Sequence, residues 1–152
     1  MERYPPSGAG DQRPVLAKII NQWGVACPNR VFARGTATYL YVFGYPLEYA
    51  EWRFTSACNG HVCHGDELPY VFQSAWNNLT GIGQRISFDI ATAWTNFGKS
   101  GDPNRPIQLP VRWPSMSSND SYLFFQDPLN VRMNYLKEDC DFWDSIGYKS
   151  SF

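Results

Sequence analysis

No run of apolar residues in the 152-residue sequence approaches the ~18 that would span a membrane. The first thirty residues hold Pro5, Pro6, Gly8, Gly10 and Asp11 but no apolar core of a leader, so no signal peptide is expected. Neither sign of charge is in excess. Thirteen Lys and Arg face fourteen Asp and Glu, and the net charge of −1 argues against a nucleic-acid or anionic-membrane partner, which would want a basic surplus. No internal repeat and no linker divides the chain, and its length suits one domain of ordinary size. Histidine is scarce, with two residues, and the four cysteines include no C-x-x-C pair. Four cysteines in a short chain are compatible with two disulfides or with a metal site.

What is abundant is ring. Aromatic residues make up 16% of the chain and apolar residues 43%, against 18% charged, so the chain buries a core rather than staying disordered. At about 25 cal/mol per Å² of apolar surface, rings in such number belong in a core, a pocket lining or an interface.

The pattern predicts an α/β fold. Asp11 is placed to cap a helix with Pro14 in its first turn, Val15, Leu16, Ile19 and Ile20 on its apolar face, and a stop at Gly24. A shorter helix is expected from Pro28 to Arg34, with Val31 and Phe32 inward. Residues 38–43, Thr-Tyr-Leu-Tyr-Val-Phe, read as a strand that is apolar on both faces, as for a central strand of a parallel sheet covered by helices. A short helical stretch from Glu67 to Gln73 follows an irregular loop. Ile82, Ile86, Ile90, Ala93 and Phe97 recur at helical spacing over 82–98. Two strands, 122–125 and 131–134, and a last helix at 137–146 complete the reading.

The densest cluster of reactive side chains is Cys58-Asn59-Gly60-His61-Val62-Cys63-His64-Gly65-Asp66-Glu67. Three readings compete. As zinc ligands, Cys58, His61, Cys63 and His64 are poorly spaced for one tetrahedral ion, since adjacent Cys63 and His64 diverge. As plain structure, a Cys58–Cys63 disulfide staples a turn and the histidines are polar surface; closing so short a loop is worth roughly 2 kcal/mol. As chemistry, His64 is a catalytic base held on a stapled loop after a strand. Esterases of the α/β-hydrolase kind place serine, acid and histidine in that chain order. A local disulfide and Gly65 supply the rigidity such an imidazole needs.

Several blocks carry a resemblance. His64-Gly65-Asp66-Glu67-Leu68-Pro69-Tyr70-Val71-Phe72 resembles the histidine motif of type-B carboxylesterases, the family that includes cholinesterases and neuroligins. In register with it stand Cys27-Pro28, Tyr39 to Phe43, Ala93 to Asn104, Trp113-Pro114, Tyr122-Leu123 and Cys140 to Trp143. The resemblance implies that residues 1–152 are the C-terminal portion of an α/β-hydrolase fold: last parallel strand, long helix, edge strand pair and terminal helix. It implies that His64 is the general base, that Glu67 supports the region around it, and that Cys27 pairs with Cys140. The implied activity is carboxylic-ester hydrolysis through an acyl-serine, on a small ester substrate, with no cofactor and no metal. Tyr45, Tyr49 and Trp52 approach His64 along the chain and are candidate pocket residues. Cholinesterases carry an aromatic residue where Asp66 stands here, which argues against a choline-ester site.

The nucleophile is lacking. No G-x-S-x-G pentapeptide occurs; Gly98-Lys99-Ser100-Gly101 is one residue out of register and follows the histidine. Ala93-x4-Gly98-Lys99-Ser100 also mimics a phosphate-binding loop, but it ends a helix where that motif must begin one. Only 63 residues precede His64, and the family's serine, acid and oxyanion glycines lie far upstream. The expectation is that Met1 does not begin a complete esterase and that the chain alone is inactive, its partner being the missing N-terminal portion of the fold. Its open strand edge should make the isolated chain fold poorly or aggregate, and a soluble, cooperatively melting monomer would sink that expectation. The alternatives are a non-catalytic adhesion or interaction relative, or a small binding module. Two candidate disulfides and the sequons Asn78-Leu79-Thr80 and Asn119-Asp120-Ser121 lean toward a secreted, extracellular location.

Overall fold

A computed structural model describes residues 3–6, 8, 10–36, 38–48, 58–116 and 119–147. Helix α1 spans Arg13–Asn21 and α2 spans Cys27–Arg34, each with a proline in its first turn. Asp11 lies just outside α1 and accepts the Arg13 amide at 3.0 Å. Gly24 does not stop the first helix as the sequence suggests. A wide π-helical turn, Gln22–Ala26, carries the chain straight into α2, closed by the Cys27 amide on the Gln22 carbonyl. The turn has a physical reason. Residues five apart stand about 140° apart around a regular α-helix. The wider turn brings them to one side, so Gln22 and Cys27 are both buried. Gln22 accepts from the Tyr4 hydroxyl at 2.6 Å and donates to Asp139 at 2.6 Å, while Cys27 is bonded to Cys140.

The inward face of α2 is also not the expected one. Val31 and Phe32 are 44% and 67% exposed, and Leu16 and Ile20 of α1 are exposed as well. Cys27, Arg30 and Ala33 are buried instead. The disulfide Cys27–Cys140 and a buried guanidinium select that face. Arg30 reaches Asp120 and Asp141 at 3.2 Å each and Asp144 at 3.8 Å, tying α2 to the last helix, α5, at Lys137–Ile146. A buried charge is tolerated only where it is paired in this way.

Three strands form the sheet, in the order β1 (Tyr41–Phe43), β2 (Ser121–Phe125), β3 (Asn130–Met133). β1 runs parallel to β2, with Tyr41 opposite Leu123. β2 runs antiparallel to β3, with Ser121 opposite Met133. Among the described residues β1 is therefore an end strand rather than a central one, and β2, not β1, is paired on both sides. The expected edge pair resolves into one middle strand and one edge strand. Residues 38–40 extend β1's attachment through the Met116 amide on Thr38 and the Leu123 amide on Leu40.

The 20-residue helix α4, Gly81–Ser100, lies on the sheet with Ile86, Ile90 and Ala93 buried; Ile82 and Phe97 of its predicted stripe stay exposed. Thr80 caps its start and Gly101, at φ +70°, ends it. The rings predicted for the core meet beneath it. Tyr41 stands edge-on to Trp94 at 4.9 Å between centroids, and Trp113 is edge-on to Phe125 at 5.7 Å. Such pairs add about 0.5–1.5 kcal/mol each beyond their burial. The Trp113 indole N–H, deep in this cluster, is satisfied by the Leu40 carbonyl at 2.9 Å.

Candidate functional site

The stretch after β1 holds the reactive cluster. Cys58 and Cys63 are joined in a disulfide with their Cα atoms 5.8 Å apart. One residue on, His64 is exposed at the head of a tight turn. That turn is closed twice. The Asp66 amide donates to the Cys63 carbonyl at 3.2 Å, and the Asp66 carboxylate accepts the Cys63 amide at 2.7 Å. Gly65 sits at φ +87°, a conformation that L side chains rarely adopt. An added Cβ there would meet only Leu68 at 3.8 Å, so conformation and not space demands the glycine.

Downstream, the turn runs into the single-turn helix α3, Leu68–Val71. Tyr70 is fully buried, and its carbonyl accepts the buried Ser87 hydroxyl of α4 at 2.7 Å. His64 is thus fixed on one side by a covalent staple and on the other by a helix bonded to the core. Its imidazole makes no hydrogen bond to any described residue.

His64 and Glu67 open on a groove of about 600 Å³ whose walls include Val25, Phe32, Tyr39 and Tyr41. Phe43 at the end of β1 and Tyr135 beyond β3 border it too. Glu67 stands close enough to Tyr41 for its charge to act there: burial first, then that carboxylate, push the Tyr41 hydroxyl above its usual range. Tyr45 does not line the groove. Its ring packs against Tyr70 at 6.1 Å, and its hydroxyl donates to Glu48. Tyr49 and Trp52 lie outside the described residues.

Two positions that sequence reasoning passed over hold this region together. Asp66 was legible only as a replacement for an aromatic residue, yet it is buried and closes the histidine turn. Glu48 carried no signal, because two of the three groups it binds belong to Thr80, 32 residues away. Its carboxylate accepts the Thr80 amide at 2.7 Å, the Thr80 hydroxyl and the Tyr45 hydroxyl, pinning the exit of β1 to the start of α4. Burial pushes the Glu48 carboxyl up, but these three bonds outweigh it and hold it below its usual range. Burial and then the bond to Glu48 push the Tyr45 hydroxyl up to about 12.

Comparison with known proteins gives the family of the chain. The profile of the carboxylesterase family matches residues 11–143. The chain belongs to the carboxylesterase family. Among curated relatives, a crystal protein of Dictyostelium discoideum is 29% identical over 97% of the chain and 29% of its own length. The acetylcholinesterase of Gallus gallus is 31% identical over 86% of the chain and 18% of its own length. Neuroligin-2 of Homo sapiens is 31% identical over 53% of the chain and 12% of its own length. The chain therefore spans less than a third of the length of these relatives. In a carboxylesterase-family protein the mixed three-stranded sheet and its helices fit an α/β-hydrolase fold. No helix among the described residues is long and apolar enough to cross a membrane.

Proposed function

We propose that this segment supplies the general-base histidine, His64, and the C-terminal packing layer of a carboxylic-ester hydrolase. One observation carries the reading. In a carboxylesterase-family sequence, a histidine on the loop after a parallel strand is held by a disulfide, a buried aspartate and a left-handed glycine, yet its imidazole is exposed and faces an open groove. Ligands of parallel α/β sheets bind beyond the carboxyl ends of the strands, where this loop leaves β1. A turn so constrained with a side chain so unengaged suits a group that waits for a partner from elsewhere in the protein.

In the reaction, a serine hydroxyl from outside this segment attacks the ester carbonyl carbon, and its proton passes to the His64 imidazole. The imidazolium returns that proton to the departing alkoxide, which leaves as the alcohol. A water molecule then attacks the acyl-serine, giving a proton to His64; as the serine–acyl bond breaks, the proton returns to the serine oxygen and the carboxylic acid is released. Glu67 lends its charge to the groove wall beside the histidine. The two disulfides favour an oxidising, extracytoplasmic compartment for the protein.

The test is hydrolysis of a short-chain nitrophenyl ester by the natural full-length protein and its His64→Ala variant. Loss of turnover of about a thousand-fold or more, with secretion and folding kept, supports the assignment. Equal turnover in both proteins overturns it. Similarity to neuroligin-2 favours a second reading, a relative that keeps the fold as an interaction protein. Absence of turnover in the unmodified full-length protein selects that reading.

A further inference from the structure

We propose that Asn78 carries an N-linked glycan, with its first sugars lying over an exposed apolar strip formed by Trp76 and Phe88. Two triplets in the sequence fit the acceptor pattern, Asn78-Leu79-Thr80 and Asn119-Asp120-Ser121. The fold treats them differently. Asn78 ends a one-turn 3-10 helix, Trp76–Asn78, and its side chain is exposed and bonded to no described residue. Leu79 points the other way, into the hydrophobic core. Thr80 then begins α4 as its cap. The triplet is anchored by its middle residue and presents the acceptor amide outward, so a glycan there projects into solvent without disturbing the core.

In the second triplet Asn119 is exposed too, but the two residues after it are absorbed into the structure. Asp120 is tied to Arg30 at 3.2 Å and to Arg34, at a left-handed φ of +50°. Ser121 is buried as the first residue of β2. A bulky sugar on Asn119 would crowd the charge cluster that joins α2 to α5.

A second, independent observation points to an occupant beside Asn78. Trp76, two residues before the acceptor, is 38% exposed, and Phe88 on the outer face of α4 is 55% exposed. With Gly81 and Pro110 they line a shallow groove of about 350 Å³ that no described residue fills. The faces of pyranose rings present C–H groups, and an indole or phenyl face offers them apolar contact. A glycan rooted within one turn of Trp76 covers ring surface that would otherwise meet water. The inference rests on the extracytoplasmic route that the disulfides favour, not on the esterase reading, and inactivity of the protein would leave it standing.

The experiment uses the full-length protein secreted from eukaryotic cells. Treatment with peptide N-glycosidase in heavy-oxygen water converts an occupied asparagine to a labelled aspartate. Mass spectrometry of the tryptic peptide running from Phe54 to Arg85 reads occupancy at Asn78 directly, with no variant required. The expected result is label at Asn78, a smaller glycosidase-sensitive gel shift in Asn78→Gln than in the unsubstituted protein, and an undiminished shift in Asn119→Gln. Label only at Asn119, or at neither position, overturns the proposal. Enzymatic deglycosylation of the folded protein should also raise quenching of tryptophan fluorescence by acrylamide in the unsubstituted protein and not in Trp76→Phe. An equal rise in both would remove the sugar from Trp76.

Discussion

Gly83→Ala is the substitution whose sign the structure reverses. Replacing glycine by alanine inside a helix ordinarily stabilises a protein by about 0.4–1 kcal/mol, because the unfolded chain loses freedom. Gly98 of α4 has open space where a Cβ would go, so Gly98→Ala should show that gain. At Gly83 the added Cβ lands 2.5 Å from the Glu48 Oε2 and 3.0 Å from its Cδ. A carboxylate at the end of a free side chain would swing aside. This one is held by the Thr80 amide, the Thr80 hydroxyl and the Tyr45 hydroxyl. Relief requires Oε2 to move by about 1 Å to reach ordinary van der Waals distance, and that breaks its bond to the Thr80 amide. Hydrogen bonds to charged groups contribute about 1.5–3 kcal/mol, and Glu48 is only partly buried, so the lower end applies. The net expectation for Gly83→Ala is a loss of about 1 kcal/mol once the helix gain is subtracted. In a Glu48→Ala background the same substitution should stabilise, a reversal that a double-mutant cycle reads directly. Yeast-surface display with a protease titration suits the measurement, since tethered chains cannot associate through the open edge of β1. If Gly83→Ala stabilises as much as Gly98→Ala in the unsubstituted background, the Glu48 clamp does not hold and the reasoning fails.

Other predictions can be read in the same assay or beside it. Replacing Cys27 and Cys140 by serine opens a loop with a sequence separation of 113 and should cost about 4–5 kcal/mol by loop entropy, against roughly 2 kcal/mol for Cys58 and Cys63, whose separation is 5. Equal losses for the two pairs would contradict the loop-entropy account. Gly65→Ala should cost about 1–2 kcal/mol through backbone conformation alone, and Gly65→Asn clearly less, because asparagine tolerates the left-handed region better. On acidification, the bond to Arg34 holds the Asp120 carboxyl below its usual range even though burial opposes it, with Arg30 adding to the effect. The folded value lies below the unfolded one, so this stabilisation is complete above the ordinary carboxylate range and is lost as pH falls through the folded value. Asp120→Asn should be less stable at neutral pH and should flatten the acid limb of a circular-dichroism titration. An unchanged acid limb would exclude Asp120 as its source.

Much of the architecture was legible because periodicity reports on burial. Helices α4 and α5 and the strands β2 and β3 lie within a residue or two of their expected places, each bounded by a cap, a glycine or a turn. Periodicity failed where something other than apolarity chose the inward face. Val31 and Phe32 look like core, but the Cys27–Cys140 bond and the Arg30 charge cluster turn α2 the other way. Gly24 looks like a stop, but the needs of Gln22 and Cys27 five residues apart carry the helix through it in a wide turn. At the candidate site, the histidine motif and the flanking cysteines stood out as local patterns. Asp66 was hidden because a buried carboxylate satisfied by one backbone amide has the same letter as a solvated one. Glu48 was hidden because Thr80, which bonds to it, and Gly83, which it lies against, are distant in sequence and meet it only in the fold.

The measurement that tests the central claim most directly is active-site labelling of the natural protein. A fluorophosphonate probe is applied to the native source, and an antibody raised against this sequence marks its band on a reducing gel, beside a recombinant full-length His64→Gln variant. Labelling of the antibody-marked band, lost when His64 is replaced, is the result expected if His64 activates a serine for ester hydrolysis. An unlabelled band, or labelling that survives the loss of His64, would contradict it.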